Sequence, residues 1–222
     1  MKDLLEHALD VAAGSGATHA EARIVSSAKE NYEVKNGAPD AALQSSSEGL
    51  GVRVIAGGAW GFAALPELTK SGAERAARQA VDVARASATA ATQPVVLAPA
   101  PKVAGVYVTP HRVDPIAVPV GKKIGLLMKA EAAMHGRPCV TITQAFLTVL
   151  RKRTWFATSE GSSYDQTIFE CGGGIAATAV RDGDWQIRSY PNSFRGNFGT
   201  GSSGDTILIS VWRSSGDTIL IS

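Results

Sequence analysis

The sequence predicts an α+β fold: a mainly antiparallel mixed sheet with packing helices. Three observations carry that expectation. Residues 49–64 alternate apolar and polar positions on either side of Gly57-Gly58, as two hairpin strands around a tight turn do. Asn36-Gly37 and Asp182-Gly183 are turn pairs of the same kind, which tolerate positive φ. Between them, Ala73, Ala76, Ala77, Ala80, Val81, Ala84 and Ala88 keep the spacing of one helix face.

Taken in order, Leu4, Leu5, Ala8, Leu9 and Ala12 form an apolar stripe opposite Asp3, Glu6, His7 and Asp10, and Gly14-Ser15-Gly16 ends this first helix. Strands are expected at about 20–27 and 32–35, then at 41–47 beyond the Asn36-Gly37 turn, and then in the hairpin. Such a meander makes the sheet largely antiparallel. Ser71-x-x-Glu74 reads as a capping box opening the alanine-rich helix, with Arg75, Arg78, Asp82 and Arg85 facing water and pairs Glu74–Arg78 and Arg78–Asp82 at i,i+4.

Six of the ten prolines fall between 92 and 120, which forbids a regular helix and most central-strand pairing, so this segment reads as an extended crossover. Gly121 to His135 is helical by Ile124, Leu127, Met128 and Met134, and Gly136 with Pro138 stops it. Val140, Ile142, Phe146, Val149, Trp155 and Phe156 then suggest strands on either side of Arg151-Lys152-Arg153, and 166–180 pairs with 185–190 across Asp182-Gly183. The expected organisation is a helix–meander–helix lobe at 1–91, the crossover at 92–120, a helix and second meander at 121–201 in the same domain, and a tail at 202–222. In that tail the nine residues 202–210 recur as 214–222, which suggests a duplication or a frame change rather than a repeat fold.

Glycine has a geometric task in the hairpin. Gly57 and Gly58 form the turn, whereas Gly49, Gly51 and Gly61 stand inside strand-like runs, where glycine signals a bulge or a close backbone approach. The run Gly49-Leu50-Gly51-Val52-Arg53-Val54, the Gly turn and Trp60-Gly61-Phe62-Ala63 resemble the N-terminal part of the TldD/PmbA family, also named for modulation of DNA gyrase. The likeness extends over about residues 4–200, including Ala20-Glu21-Ala22-Arg23 and Thr158-Ser159-Glu160-Gly161. It implies the family's N-terminal fold in a zinc peptidase acting on poorly folded peptides. Its metal is expected on an H-E-x-x-x-H helix and a later cysteine in a C-terminal half that this sequence lacks, so no cofactor is expected in the chain itself. An unfolded peptide and a homo- or hetero-oligomeric family subunit are the implied partners.

Composition narrows the classes. Lys and Arg total 22 against 20 Asp and Glu, and the net charge of +2 gives no field of the kind a nucleic-acid binder uses. No run approaches the length of a membrane-spanning helix. Asp3, Glu6 and Asp10 interrupt any signal-peptide core, and two cysteines make no disulfide scaffold, so the cytoplasm is the expected compartment.

The chemistry-bearing residues are sparse. His7, His19, His111 and His135 include no pair spaced as zinc ligands on one helix, and His7, His111 and His135 each read as a solvated or packed side chain. Cys139 and Cys171 read as small buried hydrophobes. Gly172-Gly173-Gly174 lacks the Lys-Ser/Thr and the helix start of a phosphate loop. Arg151-Lys152-Arg153 reads as a turn or solvated edge, since alternation on a strand forbids one basic stripe. Arg53, Trp60 and Phe62 are the candidates to line a peptide channel, with core packing of the two aromatics as the alternative. Two classes of function stand: the access and subunit-pairing region of a metallopeptidase, with no catalytic or metal residues of its own, and a non-catalytic scaffold domain that binds a partner subunit.

Overall fold

The computed structural model describes residues 1–190 and the residue pairs 211–212 and 218–219. Helix α1 spans Lys2–Gly14 and β1 His19–Lys35; β2 spans Ala38–Ala56, β3 Ala59–Leu65, and α2 Lys70–Ala88. Then follow β4 (Ala104–Val108), α3 (Val120–Ala132), β5 (Val140–Thr158), β6 (Ser163–Arg181) and β7 (Asp184–Tyr190). The seven strands form one sheet in the order β3-β2-β1-β5-β6-β4, with β7 on β6. It is α+β and mainly antiparallel, and β4 runs parallel to Ser163–Thr167 of β6. Val211–Trp212 and Thr218–Ile219 form a separate antiparallel pair, β8 and β9. The other residues of the repeated tail lie outside the described residues.

The chain divides into two compact units, interleaved along the sequence. One comprises Met1–Ser27, Ser47–Val108 and Lys152–Thr167; the other comprises Ala28–Ser46, Thr109–Arg151 and Ile168–Ser222.

In the first unit the hairpin turns as its glycines require: Gly57 and Gly58 have φ of 62° and 80°, and Ala56 pairs with Ala59. Val52, Val54 and Ala56 face a core shared with Ala20, Ala22 and Ile24 of β1 and the alanine face of α2. Gly61 is a close-approach glycine, because a Cβ there would lie 2.0 Å from the Ala80 carbonyl oxygen. α1 buries Leu5, Ala8 and Ala12 into the same core. The cap of α2 differs from the expected box: Thr69 is the N-cap, accepting from the Gly72 amide at 3.1 Å. Glu74 pairs with Arg78 as expected, whereas Asp82 approaches Arg85 rather than Arg78. The Pro-rich crossover contains β4, a short exposed strand that its prolines flank but do not enter.

In the second unit α3 packs Leu127 and Ala130 against Tyr32, Val34, Ala145, Leu147 and Val149. Residues 28–31 do not interrupt β1, although Ala-Lys-Glu-Asn reads as a break. Glu30 is buried there because the fully buried Lys123 of α3 pairs with it, and Gln44 donates to both Glu30 (3.1 Å) and the Tyr32 hydroxyl (2.9 Å). Similarly β2 runs unbroken through 38–56. Arg151-Lys152-Arg153 lies inside β5, a strand flanked by β1 and β6, and is neither turn nor edge. Arg151 reaches Asp114 at 3.4 Å within this unit, and in the first unit Arg153 forks onto Asp165 at 2.9 and 2.7 Å. The alternation of strand side chains puts Arg151 and Arg153 on one face and Lys152 on the other, and carboxylates meet the two arginines. Asp182 and Gly183 take positive φ in the β6–β7 turn as expected.

Candidate functional site

The helices of the first unit take the face of Ala20, Ala22, Ile24, Val52, Val54 and Ala63. Alternation therefore sends Glu21, Arg23, Arg53 and Phe62 to the other face of the same strands. There they line an open groove of about 630 Å³ together with Val25, Glu48, Gly49, Gly51, Leu65, Pro66 and Phe156. Arg53 and Phe62 are direct cross-strand partners, a pairing dictated by the two-residue turn. Phe62 is 59% exposed, so it is a surface aromatic and not a core residue. Its ring lies over Gly51, where a Cβ would sit 3.1 Å from it, and a Cβ at Gly49 would come 3.2 Å from the Leu65 carbonyl oxygen. These strand glycines clear the groove floor.

Of the three candidate residues, Arg53 and Phe62 line the groove and Trp60 does not. Trp60 lies under the Arg53 guanidinium, 4.6 Å from its ring centre, and meets His19 edge-on at 5.8 Å. Arg53 is also held by Glu21, with Nη2 at 2.6 and 2.8 Å from the two carboxylate oxygens. Across the groove, the Arg23 guanidinium stands 5.1 Å from the centre of the Phe156 ring, which stacks on Tyr164.

His19 organises this face, a role that its sequence context does not announce. It is 8% exposed, with Nδ1 2.5 Å from Glu160 and Nε2 3.3 Å from Glu21. Whichever nitrogen carries the proton donates to its carboxylate. Glu160 is 141 residues away, on the β5–β6 turn, where Ser159 donates to it and accepts from the Ala20 amide. Burial pushes the Glu21 carboxyl up, but hydrogen bonds and charge from Arg53 and His19 outweigh it and hold the group below the usual carboxylate range. Glu160 is held down in the same way, burial being outweighed by His19 and Ser159. The result is a hydrogen-bonded chain, Glu160–His19–Glu21–Arg53, whose Glu21 and Arg53 line the groove.

These residues do not suit a zinc ion. Both ring nitrogens of His19 are already aimed at separate carboxylates, and no second imidazole or thiolate converges on them. Among the described residues no group of three or more His, Cys, Asp or Glu side chains is placed to hold a metal. In the second unit the buried Glu131 Oε1 accepts from Gly37, Thr143 and His135, while its Oε2 has no partner. Cys139 and Cys171 are not joined by a disulfide, and Gly172-Gly173-Gly174 continues β6. Among the described residues no helix is long and apolar enough to cross a membrane.

Comparison with known proteins gives a consistent picture. The model of the PmbA/TldA metallopeptidase domain 1 matches residues 20–84, and that of the PmbA/TldA metallopeptidase central domain matches 113–211. A structure from Bacteroides thetaiotaomicron, named for modulation of DNA gyrase, is similar at TM-score 0.69 and 15% identity, over 85% of this chain and 43% of that one. A Thermotoga maritima protein of the same designation gives TM-score 0.66 and 12% identity over 85% and 42%. TldE from Thermococcus kodakarensis gives 0.59 and 12% over 84% and 42%. At these identities the likeness is one of fold, and the chain spans less than half the length of each structure. No curated protein matches the chain.

Proposed function

We propose a function from one premise: the chain belongs to the PmbA/TldD metallopeptidase family, whose first and central domains it contains. Within such a peptidase these domains admit poorly folded peptide and pair subunits, and the zinc is held by residues other than those described here. The observation that carries the reading is the groove, where apolar residues and an exposed phenylalanine stand among Arg23, Arg53, Glu21 and Glu48, on a sheet face opposite the helices. Backbone and apolar side chains of an extended peptide match such a surface, whereas a folded protein does not fit a groove of about 630 Å³.

Fluorescence anisotropy with a labelled, unstructured apolar peptide of about ten residues tests this. The chain binds it, and Phe62→Ala weakens binding by about fivefold or more, as loss of a central aromatic contact does. Binding that ignores Phe62 contradicts the reading.

Subunit pairing rests on a different feature. β3 pairs with Leu50–Ala56 of β2 only, so among the described residues one edge of β2 from Ala38 to Gly49 has no partner strand. Leu43 on it is 63% exposed, and an open strand edge is a template for another chain. Light scattering on the full chain and on a version ending at Gly201 tests pairing and separates the β2 edge from the repeated tail. Monodisperse monomers from both at micromolar concentration contradict it. The proposed compartment is the cytoplasm, in keeping with two cysteines that form no disulfide.

A further inference from the structure

We propose that Arg23 is the carboxylate anchor of the groove and that it selects peptides ending there in a free C-terminus. The inference rests on the peptide-groove reading and adds to it the end of the peptide that is recognised.

The charges on the groove wall are unequally occupied. Arg53 is neutralised by the fork from Glu21, and Glu21 is further held by His19. Arg23 has only the face of Phe156, and among the described residues no carboxylate pairs with it. A guanidinium on an aromatic ring is oriented without being neutralised, since its fork of donors still points outward for a planar anion. A carboxylate is the peptide group that fits this fork, through two parallel N–H···O bonds.

The groove's extent favours a chain end over a side chain. It crosses four strands, from Phe62 on β3 through Gly51 and Arg23 to Phe156 on β5. Three strand spacings amount to about 14 Å, the length of about four extended residues. At its β5 side the last lining residue is Phe156, whose ring carries the Arg23 guanidinium 5.1 Å from its centre and stacks on Tyr164 with centres 4.8 Å apart. A peptide running from Phe62 towards Arg23 therefore reaches the end of the lining where its carboxylate would be. Glu48, also on the lining, disfavours an anion elsewhere in the groove.

The test uses the full chain and a labelled apolar pentapeptide in three forms: free acid, C-terminal amide, and amide with one internal Asp. The free acid binds about tenfold tighter than the amide, the size expected of a charge-assisted pair. Arg23→Gln removes that preference, Arg23→Lys keeps part of it, and Phe62→Ala weakens acid and amide alike. Melting curves matching the parent establish that the Arg23 variants are folded. Equal binding of acid and amide, or a preference that survives Arg23→Gln, overturns the inference while the Phe62 dependence leaves the groove reading standing. An Asp-containing amide that binds as tightly as the free acid overturns the choice of chain end. Absence of binding by all three forms overturns both readings together.

Discussion

Gly61 of β3 and Ala80 of α2 meet backbone to backbone: a Cβ on Gly61 would lie 2.0 Å from the Ala80 carbonyl oxygen and 2.8 Å from the Ala84 methyl. No side chain separates helix and sheet at this point, which explains both the alanine face of α2 and the glycine in the strand. Ala80 is fully buried in the contact. Ala80→Leu therefore overpacks it and costs about 1–3 kcal/mol. In a chain of this size each kcal/mol lowers the melting temperature by roughly 2–4 °C. Calorimetry showing an unchanged midpoint contradicts the contact.

The cap of α2 gives a sharper comparison between neighbours. Thr69→Ala removes the acceptor of the Gly72 amide and costs about 1 kcal/mol. Ser71→Ala, in the residue that the sequence suggests as the cap, stays within about 0.5 kcal/mol. Denaturant midpoints for the two variants decide which residue caps the helix.

Lys123 and Glu30 are a buried pair with almost no access to water. Lys123→Met leaves the Glu30 carboxylate uncompensated and costs about 3–5 kcal/mol, whereas Lys123→Met with Glu30→Leu recovers most of the loss. Urea unfolding of the single and double variants measures the difference, and equal losses contradict the pairing.

Acid sensitivity has a defined origin. Burial raises the Glu131 carboxyl, but donation from Thr143, His135 and the Gly37 amide outweighs it and sets the group below the usual range. A carboxyl lowered on folding adds stability that is present above its unfolded pKa and lost as pH falls through the folded one. The same sign holds for Glu21, Glu160 and, through its Arg153 fork, Asp165. Melting temperature therefore falls as pH drops below about 4.5, the ordinary glutamate value. Glu131→Gln lowers the midpoint at neutral pH and flattens part of that acid slope. An acid slope unchanged by Glu131→Gln contradicts the assignment.

What could be read from the sequence follows the range of the interactions. The Gly57-Gly58 hairpin, the Asp182-Gly183 turn and the alanine face of α2 are set by neighbours in sequence, and all three stand in the structure. The unbroken course of β1 depends on Lys123 meeting Glu30 across 93 residues, which no local pattern reveals. Arg153 is accommodated in β5 by Asp165 on the neighbouring strand. The His19–Glu160 contact joins residues 141 apart, so His19 looks like any packed histidine until the fold brings the turn to it. Phe62 was half legible: its pairing with Arg53 follows from the turn, but which face the helices would cover does not.

The most direct measurement is a titration of unstructured apolar peptide into the purified chain, with and without a chelator, followed by mass spectrometry of the peptide. A groove that binds peptide without a metal centre among its own residues gives the same dissociation constant in both, an intact peptide, and weaker binding in Phe62→Ala. Chelator-sensitive cleavage, or binding lost on removal of metal, would contradict the account.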